Sequence, residues 1–213
     1  MNKNIPIPKR LAHKPKDHRG YLVPWFVATI DGKPDFRVVD AAKMPKAVNQ
    51  RLCWVCGEKL GKYMAFVIGP MCAINRVISE PPSHKECAEY AAQACPFMAL
   101  PNAKRRTSGL DLENGGLVGA PGVHLDRNPG VVCVWVTRSY APFKAPGGVM
   151  FDLGEPEETL WYAEGRMATR DEVLHSIGTG YPALAGMAEK EGAEAILRLE
   201  AMREKAMPLL PPT

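Results

Sequence analysis

The sequence predicts an α+β fold, because its strand-like and helix-like segments occupy separate stretches of the chain. Two apolar runs flank Asp31-Gly32, and this arrangement is a strong signal for a β-hairpin. Two S/T-x-x-E patterns, at Ser83–Glu86 and Thr169–Glu172, mark the starts of helices. The 213 residues, of which 46% are hydrophobic and 23% charged, suffice for a buried core and exclude wholesale disorder.

The first half of the chain predicts an arm, a hairpin and a helix. Residues 1–20 contain six Lys or Arg and one Asp, which predicts a basic and flexible arm. Residues 21–100 follow as a β-hairpin region. Its predicted elements are strands over 21–30 and 35–39, a helical segment over 41–50, a strand over 64–68 and a helix from Ser83 to about Cys95.

The second half begins with a Gly-, Asn- and Pro-rich stretch over 101–130, which we expect to be a loop or linker. The all-apolar run Val131–Val136 predicts a strand that is buried on both faces. Residues 131–213 then form a hairpin plus C-terminal helices, either alone or as one composite domain with 21–100. The predicted elements are hairpin strands over 149–153 and 159–163, a short helix from Thr169 to about Gly178–Gly180, and a last helix from Pro182 to about Met207.

The cysteines carry the clearest chemical signal. Cys53-x2-Cys56-Gly57 precedes His84-x2-Cys87, which gives the pattern C-x2-C-x27-H-x2-C. Two ligand pairs with this internal spacing suit a tetrahedral Zn²⁺ ion with Cys3His ligation. The first pair indicates a tight knuckle, and the second lies in the first turn of the predicted helix, whose N-terminus favours a thiolate. This order of ligands is typical of a treble-clef zinc module.

The ligand set has open alternatives. Cys72 or Cys95 could replace His84 as the fourth ligand, although a buried small hydrophobe is the favoured interpretation of both. Cys133 lies inside an apolar strand and is expected to be a core thiol. The C-x2-C pair could also be redox-active or coincidental, but no βαβ pattern surrounds it.

The chain carries no sequence signal for export or for a membrane. Its basic N-terminus leads into no apolar signal segment, and no apolar run approaches the roughly 20 residues that span a bilayer. We therefore expect a cytoplasmic protein with no membrane partner. In such a reducing compartment, the thiols are expected to be free or metal-bound rather than paired in disulfides.

Several segments are similar to an uncharacterised family of proteins. CWVCG, AFVIGPMCAINR, EPPSHKECA and ACPF, with WYAEGRMATRDEVLHSIGTGYPAL near the C-terminus, resemble phage-associated and bacterial proteins. The resemblance covers much of the chain and implies that its two parts form one unit. It also implies a phage or mobile-element context in a bacterial cell, but it brings no established activity.

The distribution of charge indicates a binding surface. Residues 1–149 carry 21 Lys+Arg against 11 Asp+Glu, a net charge of +10, whereas residues 150–213 carry 6 against 12, a net charge of −6. A basic zinc-bearing portion can neutralise phosphates, so we expect a zinc-stabilised binding or regulatory protein that contacts nucleic acid or a protein partner. The candidate nucleic-acid contacts are Lys9, Arg10, Lys14, Lys16, Arg19, Lys104, Arg105 and Arg106.

A metal-dependent enzyme is the alternative prediction. His84-Lys85-Glu86 is an H-x-E, but a zinc deaminase needs its C-x-x-C downstream, and here the pair lies upstream. A treble-clef nuclease would need a catalytic His and a second metal. The candidates for those roles are His13, Asp17, His18 and His124. Four protein ligands would close the zinc site, so a structural role is favoured over a catalytic one.

Overall fold

The protein combines antiparallel sheets with helices, which confirms the predicted α+β class. The structure, a computed structural model, describes residues 5–99 and 128–213. Its strands are β1 (Val27–Ile30), β2 (Lys33–Val39), β3 (Met64–Ile68), β4 (Val77–Ile78), β5 (Val132–Thr137), β6 (Tyr140–Ala145), β7 (Gly148–Leu153), β8 (Pro156–Ala163) and β9 (Arg166–Met167). Its α-helices are α1 (Lys43–Gln50), α2 (Pro70–Asn75), α3 (Lys85–Ala94), α4 (Pro96–Ala99), α5 (Arg170–Glu191) and α6 (Ala193–Ala206), with short 3-10 helices over Lys9–Leu11 and Met207–Leu209.

The strands form three antiparallel sheets. A two-stranded hairpin joins β1 to β2, and its turn residues Asp31 and Gly32 both have positive φ, as the predicted Asp-Gly turn requires. A four-stranded sheet has the order β3-β5-β8-β9, and a three-stranded sheet has the order β4-β7-β6. Because Phe66 of β3 pairs with Trp135 of β5, both halves of the chain contribute to the same sheet.

Strand β5 lies at the centre of the core, and the prediction of burial on both faces is confirmed. Val132, Val134 and Val136 pack with Ala88 and Ala92 of α3 on one face of the sheet. On the other face, Cys133 and Trp135 join the largest hydrophobic cluster, which includes residues of the three-stranded sheet and of α2, α5 and α6. Helix α3 is therefore seated on a sheet that the second half of the chain completes.

The predicted second hairpin is wrong, because strand β7 has a different partner. We expected residues 149–153 to pair with 159–163, whereas β7 pairs with β6. Pro146-Gly147 forms the tight turn between them, with Gly147 at φ +88°. Pro142 obscured this strand, because proline is tolerated only where a strand lies at a sheet edge, as β6 does.

The predicted boundary between the C-terminal helices is also wrong. Helix α5 runs without a break past Gly178, Gly180 and Pro182 to Glu191, and the interruption comes at Gly192, where φ is +108°. Gly180 is buried against α2, and a Cβ atom there would lie 3.3 Å from Met71. This glycine thus allows two helices to approach closely, and tertiary packing outweighs its low helix propensity.

Residues 5–20 fold onto the rest of the chain, which differs from the extended and mobile arm that their composition predicts. Leu11 is 1% exposed and packs in a cluster with Cys53, Cys56, Leu60 and Cys87. Backbone hydrogen bonds fix the local turns around it, including Leu11 to Pro8 at 2.8 Å. A single buried leucine therefore anchors this segment.

No helix within the described ranges is long and apolar enough to cross a membrane.

Candidate metal centre

Four side chains meet in the first half of the chain. Cys53, Cys56, His84 and Cys87 are all buried, and their ligand atoms lie within 4.8 Å of one another. In a tetrahedral site with Zn–S distances near 2.3 Å, ligand sulfurs stand about 3.8 Å apart, so a modest contraction closes the cluster around one ion. The cluster could therefore hold a metal ion, and its members are the four residues that the spacing predicted.

The knuckle, residues 53–58, carries the first ligand pair and is built by backbone hydrogen bonds. The amide of Cys53 donates to the Glu58 carbonyl at 2.7 Å, and the amide of Gly57 donates to the Cys53 carbonyl at 2.8 Å. Amides also face the sulfurs: Cys56 N–H donates to Cys53 Sγ, and Glu58 N–H donates to Cys56 Sγ, each at 3.4 Å. Such donors stabilise thiolates, which is the form that binds metal.

Gly57 is required at this turn for two reasons. Its φ of +79° lies in the left-handed region, where residues with a Cβ atom are strained. A Cβ atom on Gly57 would also lie 2.7 Å from the ring of Trp25. The knuckle is thus closed from outside by an aromatic ring of the preceding segment.

The second ligand pair enters from the start of α3, though not through the predicted capping box. We expected Ser83 to cap the helix with Glu86, but the N-cap residue is His84, and no side chain of the described residues caps this end. Both backbone groups of Ser83 pair with Ala65 of β3, which keeps Ser83 extended. The Glu86 carboxylate instead accepts a hydrogen bond from Arg10 Nε at 2.8 Å.

His84 is oriented for ligation. Its Nε2 lies 3.1 Å from the Lys59 carbonyl, which can only accept, so Nε2 carries the proton. In the neutral imidazole, Nδ1 is then the unprotonated nitrogen, and it lies 3.4 Å from Cys56 Sγ, facing the cluster. A backbone carbonyl that fixes the tautomer in this way is the usual second partner of a metal-bound histidine.

The three thiols compete for protons among themselves. Hydrogen bonds from the Cys56 and Cys87 thiols lower the pKa of Cys53 far below its ordinary value. The resulting thiolate holds protons on its neighbours: the hydrogen bond with Cys53 raises the pKa of Cys56 to about 11, and it raises the pKa of Cys87 strongly. A cation that accepts all three thiolates together would remove this competition, so this donor set suits a divalent metal.

Aromatic side chains hold the knuckle against the β1–β2 hairpin. Trp54, 3% exposed, stacks on Phe26 with ring centroids 5.0 Å apart and meets Trp25 edge-on at 6.3 Å. The Trp25 amide donates to the Val55 carbonyl at 2.7 Å. The hairpin and the knuckle therefore share one packed surface next to the ligands.

The alternative ligands lie elsewhere. Cys72 belongs to α2 and packs against the main core, Cys95 ends α3, and Cys133 is fully buried in β5 as predicted. Burial raises the pKa of Cys72 to about 11 and also raises that of Cys95. Neither thiol joins the Cys3His cluster.

The described residues among those considered for a nuclease centre do not assemble into a site. His13 and His18 are exposed, and the Asp17 carboxylate accepts hydrogen bonds from Arg19 and Tyr21. His124 lies outside the described residues. Within residues 5–99 and 128–213, no second group of three or more His, Cys, Asp or Glu side chains is arranged to hold a metal ion.

The predicted nucleic-acid contacts divide into paired and unpaired residues. Arg10 forms ion pairs with Glu58 and Glu86, and Arg19 forms one with Asp17. No ion pair with another described residue engages Lys9, Lys14 or Lys16. The cluster Lys104, Arg105 and Arg106 lies outside the described residues.

Two supporting features were missed from the sequence. The Lys59 carbonyl fixes the His84 tautomer, but a backbone contact of this kind leaves no trace in residue types. Leu11 covers the ligands from the N-terminal side, and an isolated leucine among prolines and lysines gave no periodic signal.

Comparisons with known protein families, with curated proteins and with solved structures found no significant match for this chain.

Proposed function

We propose that the chain is a zinc-stabilised binding protein whose basic N-terminal portion contacts nucleic acid. The buried Cys3His cluster carries the proposal, because it joins the knuckle to the start of α3 and lies directly beneath the N-terminal segment. A metal ion there would hold the N-terminal portion of the chain in one conformation, while lysines of that portion remain exposed to solvent.

Zinc is the ion that this donor set suits best. Three thiolates and an imidazole are soft or borderline ligands that favour Zn²⁺ over Mg²⁺, Ca²⁺ or Mn²⁺, which take oxygen ligands. Four protein ligands leave no open position for a substrate or an activated water. We therefore propose a structural ion, bound by a knuckle and a helix start in a treble-clef-like order.

The charge around the centre supports an anionic partner. Residues 5–69 carry 12 Lys+Arg against 5 Asp+Glu, a net charge of +7. Of the acids, Asp17, Asp40 and Glu58 are already paired with Arg19, Lys43 and Arg10. Lys59 and Lys62, which follow the knuckle, are exposed. Like Lys9 and Lys16, they have no acidic partner among the described residues.

Binding of a fluorescently labelled oligonucleotide, measured across salt concentrations, tests this proposal. Contacts with phosphates release counterions, so affinity should fall steeply between about 50 mM and about 200 mM salt. The double variant Lys59→Gln/Lys62→Gln should reduce the magnitude of the negative slope of log K against log salt by about 1 to 2. Lys190→Gln/Lys205→Gln removes the same charge from the acidic C-terminal portion and should leave the slope unchanged.

Two results would contradict the nucleic-acid assignment. One is the absence of binding at low salt, which would favour a protein partner for the basic portion. The other is an equal loss in both double variants, because it would show that binding depends only on net charge. The sequence resemblance extends the proposal to a phage or mobile-element setting. Oligonucleotides with sequences from such a setting can therefore be used as probes in the same assay.

A further inference from the structure

The turn over residues 17–21 holds one arginine in a fixed orientation. Asp17 accepts hydrogen bonds from the backbone amides of Arg19 at 3.0 Å and Tyr21 at 2.9 Å. Gly20, at φ +89°, closes the turn with an amide that donates to the Asp17 carbonyl. The Asp17 side chain is 2% exposed, so the carboxylate belongs to the framework of the turn.

The same carboxylate holds the Arg19 side chain by one edge. Arg19 Nε donates to Asp17 Oδ2 at 2.8 Å. The guanidinium also lies over the rings of Tyr21 at 5.2 Å and Phe36 at 5.4 Å, within the range of cation–π contacts. Its two terminal nitrogens make no hydrogen bond with any other described residue, and the side chain is 47% exposed.

Arg10 provides the contrasting case. Its Nε and one terminal nitrogen donate to Glu86 and Glu58, so two carboxylates occupy its donors and more than balance its charge. The sequence placed both arginines among the candidate nucleic-acid contacts, but the structure gives them different surroundings. Arg10 joins the N-terminal segment to the knuckle, whereas Arg19 presents an unoccupied pair of donors to solvent.

We infer that Arg19 is a phosphate-docking residue, whose two terminal nitrogens donate to two oxygens of one phosphodiester group in a bound nucleic acid. A guanidinium fork matches a phosphate with two parallel hydrogen bonds, and pre-orientation by Asp17 and the two rings lowers the conformational entropy lost on binding. Exposed Lys16 precedes the turn, and exposed His18 lies within it. The inference rests on the proposed function and names the residue that anchors the ligand.

The variant Arg19→Lys separates the contribution of the paired guanidinium donors from that of the positive charge. It keeps the positive charge but loses the paired donors, so affinity for an oligothymidine strand should fall by about tenfold. The salt slope should stay unchanged, because charge sets counterion release. Arg19→Gln should lower the slope by about 0.7 as well. Arg10→Lys is the matched control and should bind as the unmodified chain does, with melting temperatures recorded for every variant.

Asp17→Asn tests the positioning role of the carboxylate. The variant keeps an oxygen for the two backbone amides but makes the chain more positive by one charge, which alone would strengthen binding to a polyanion. A weaker affinity with an unchanged melting temperature therefore supports the inference. A stronger affinity would overturn it, because Arg19 would then need no support.

The outcomes also separate this inference from the broader proposal. If the unmodified chain binds no oligonucleotide at low salt, both fail. If it binds and Arg19→Lys binds equally well, only the role of Arg19 fails. A loss confined to guanine-containing strands would overturn the phosphate assignment, because it would indicate contact with a base edge. Equal losses in Arg19→Lys and Arg10→Lys would overturn it too.

Discussion

Substituting Leu11 with alanine should release the N-terminal segment from the metal centre. Leu11 is 1% exposed and contacts the cluster that contains Cys53, Cys56 and Cys87. The ion pairs of Arg10 are weaker attachments to the knuckle and α3, because Arg10 and its two acidic partners are each more than two-fifths exposed. Exposed ion pairs of this kind contribute about 0–1 kcal/mol each. Leu11 should therefore dominate the free energy of docking.

The magnitude follows from the buried side chain. Leu→Ala removes three carbon atoms' worth of apolar contact, or about 2.4 kcal/mol at about 0.8 kcal/mol per methylene group. Substitutions of this type cost about 2–5 kcal/mol, with the low end applying where the site can collapse. A terminal segment can collapse or detach easily, so we expect about 2–3 kcal/mol. That change raises the population of the detached segment by about 30- to 150-fold.

Hydrogen exchange measures this population directly. The amides of Leu11, Ala12 and Lys14 donate to carbonyls within the segment and should exchange correspondingly faster in Leu11→Ala. Ile7→Ala is the matched control, because Ile7 is an aliphatic residue of the same segment that is 41% exposed. The reasoning is refuted if these amides are unprotected in the unmodified chain, or if the two variants exchange alike.

Two further substitutions test local geometry. Gly57→Ala should lower the free energy of unfolding by about 1–3 kcal/mol in a urea titration, because φ is +79° and the added Cβ meets the Trp25 ring. The control Gly61→Ala, with open space around it, should have little effect in the same titration. Hydrogen bonds from Arg166 and from the capping box lower the pKa of Glu172 to about 2. Because the folded pKa is depressed, the stabilisation is complete above pH 4.5 and declines as the pH falls towards 2. The unfolding free-energy difference between the unmodified chain and Glu172→Gln should shrink accordingly, and a constant difference would contradict this.

The Cys3His cluster was predictable because metal chemistry constrains residue type and local spacing together. Each C-x2-C or H-x2-C pair needs only one turn of chain, so the sequence displays it directly. The approach of the two pairs depends on Ser83 pairing with Ala65 of β3, and that is a long-range contact. The same contact moves the N-cap position of α3 from Ser83 to His84, which local capping rules could not anticipate.

The errors in the second half arose where tertiary contacts outweighed local preferences. Gly178, Gly180 and Pro182 predicted a break, yet α5 continues because Gly180 packs closely against Met71. Pro142 concealed β6 for a related reason, since an edge position tolerates a missing amide donor. In contrast, β5 was predicted correctly because burial on both faces requires a continuous apolar run, which is visible without knowing its neighbours.

The metal content of the purified chain tests the metal centre most directly. Elemental analysis should find one zinc ion per chain, lost in Cys53→Ser, which removes one of the four clustered side chains. Cys95→Ser should keep the zinc, because Cys95 ends α3 and stands outside the four ligands. A folded chain without zinc, or a zinc content that Cys53→Ser leaves unchanged, would contradict the proposed centre.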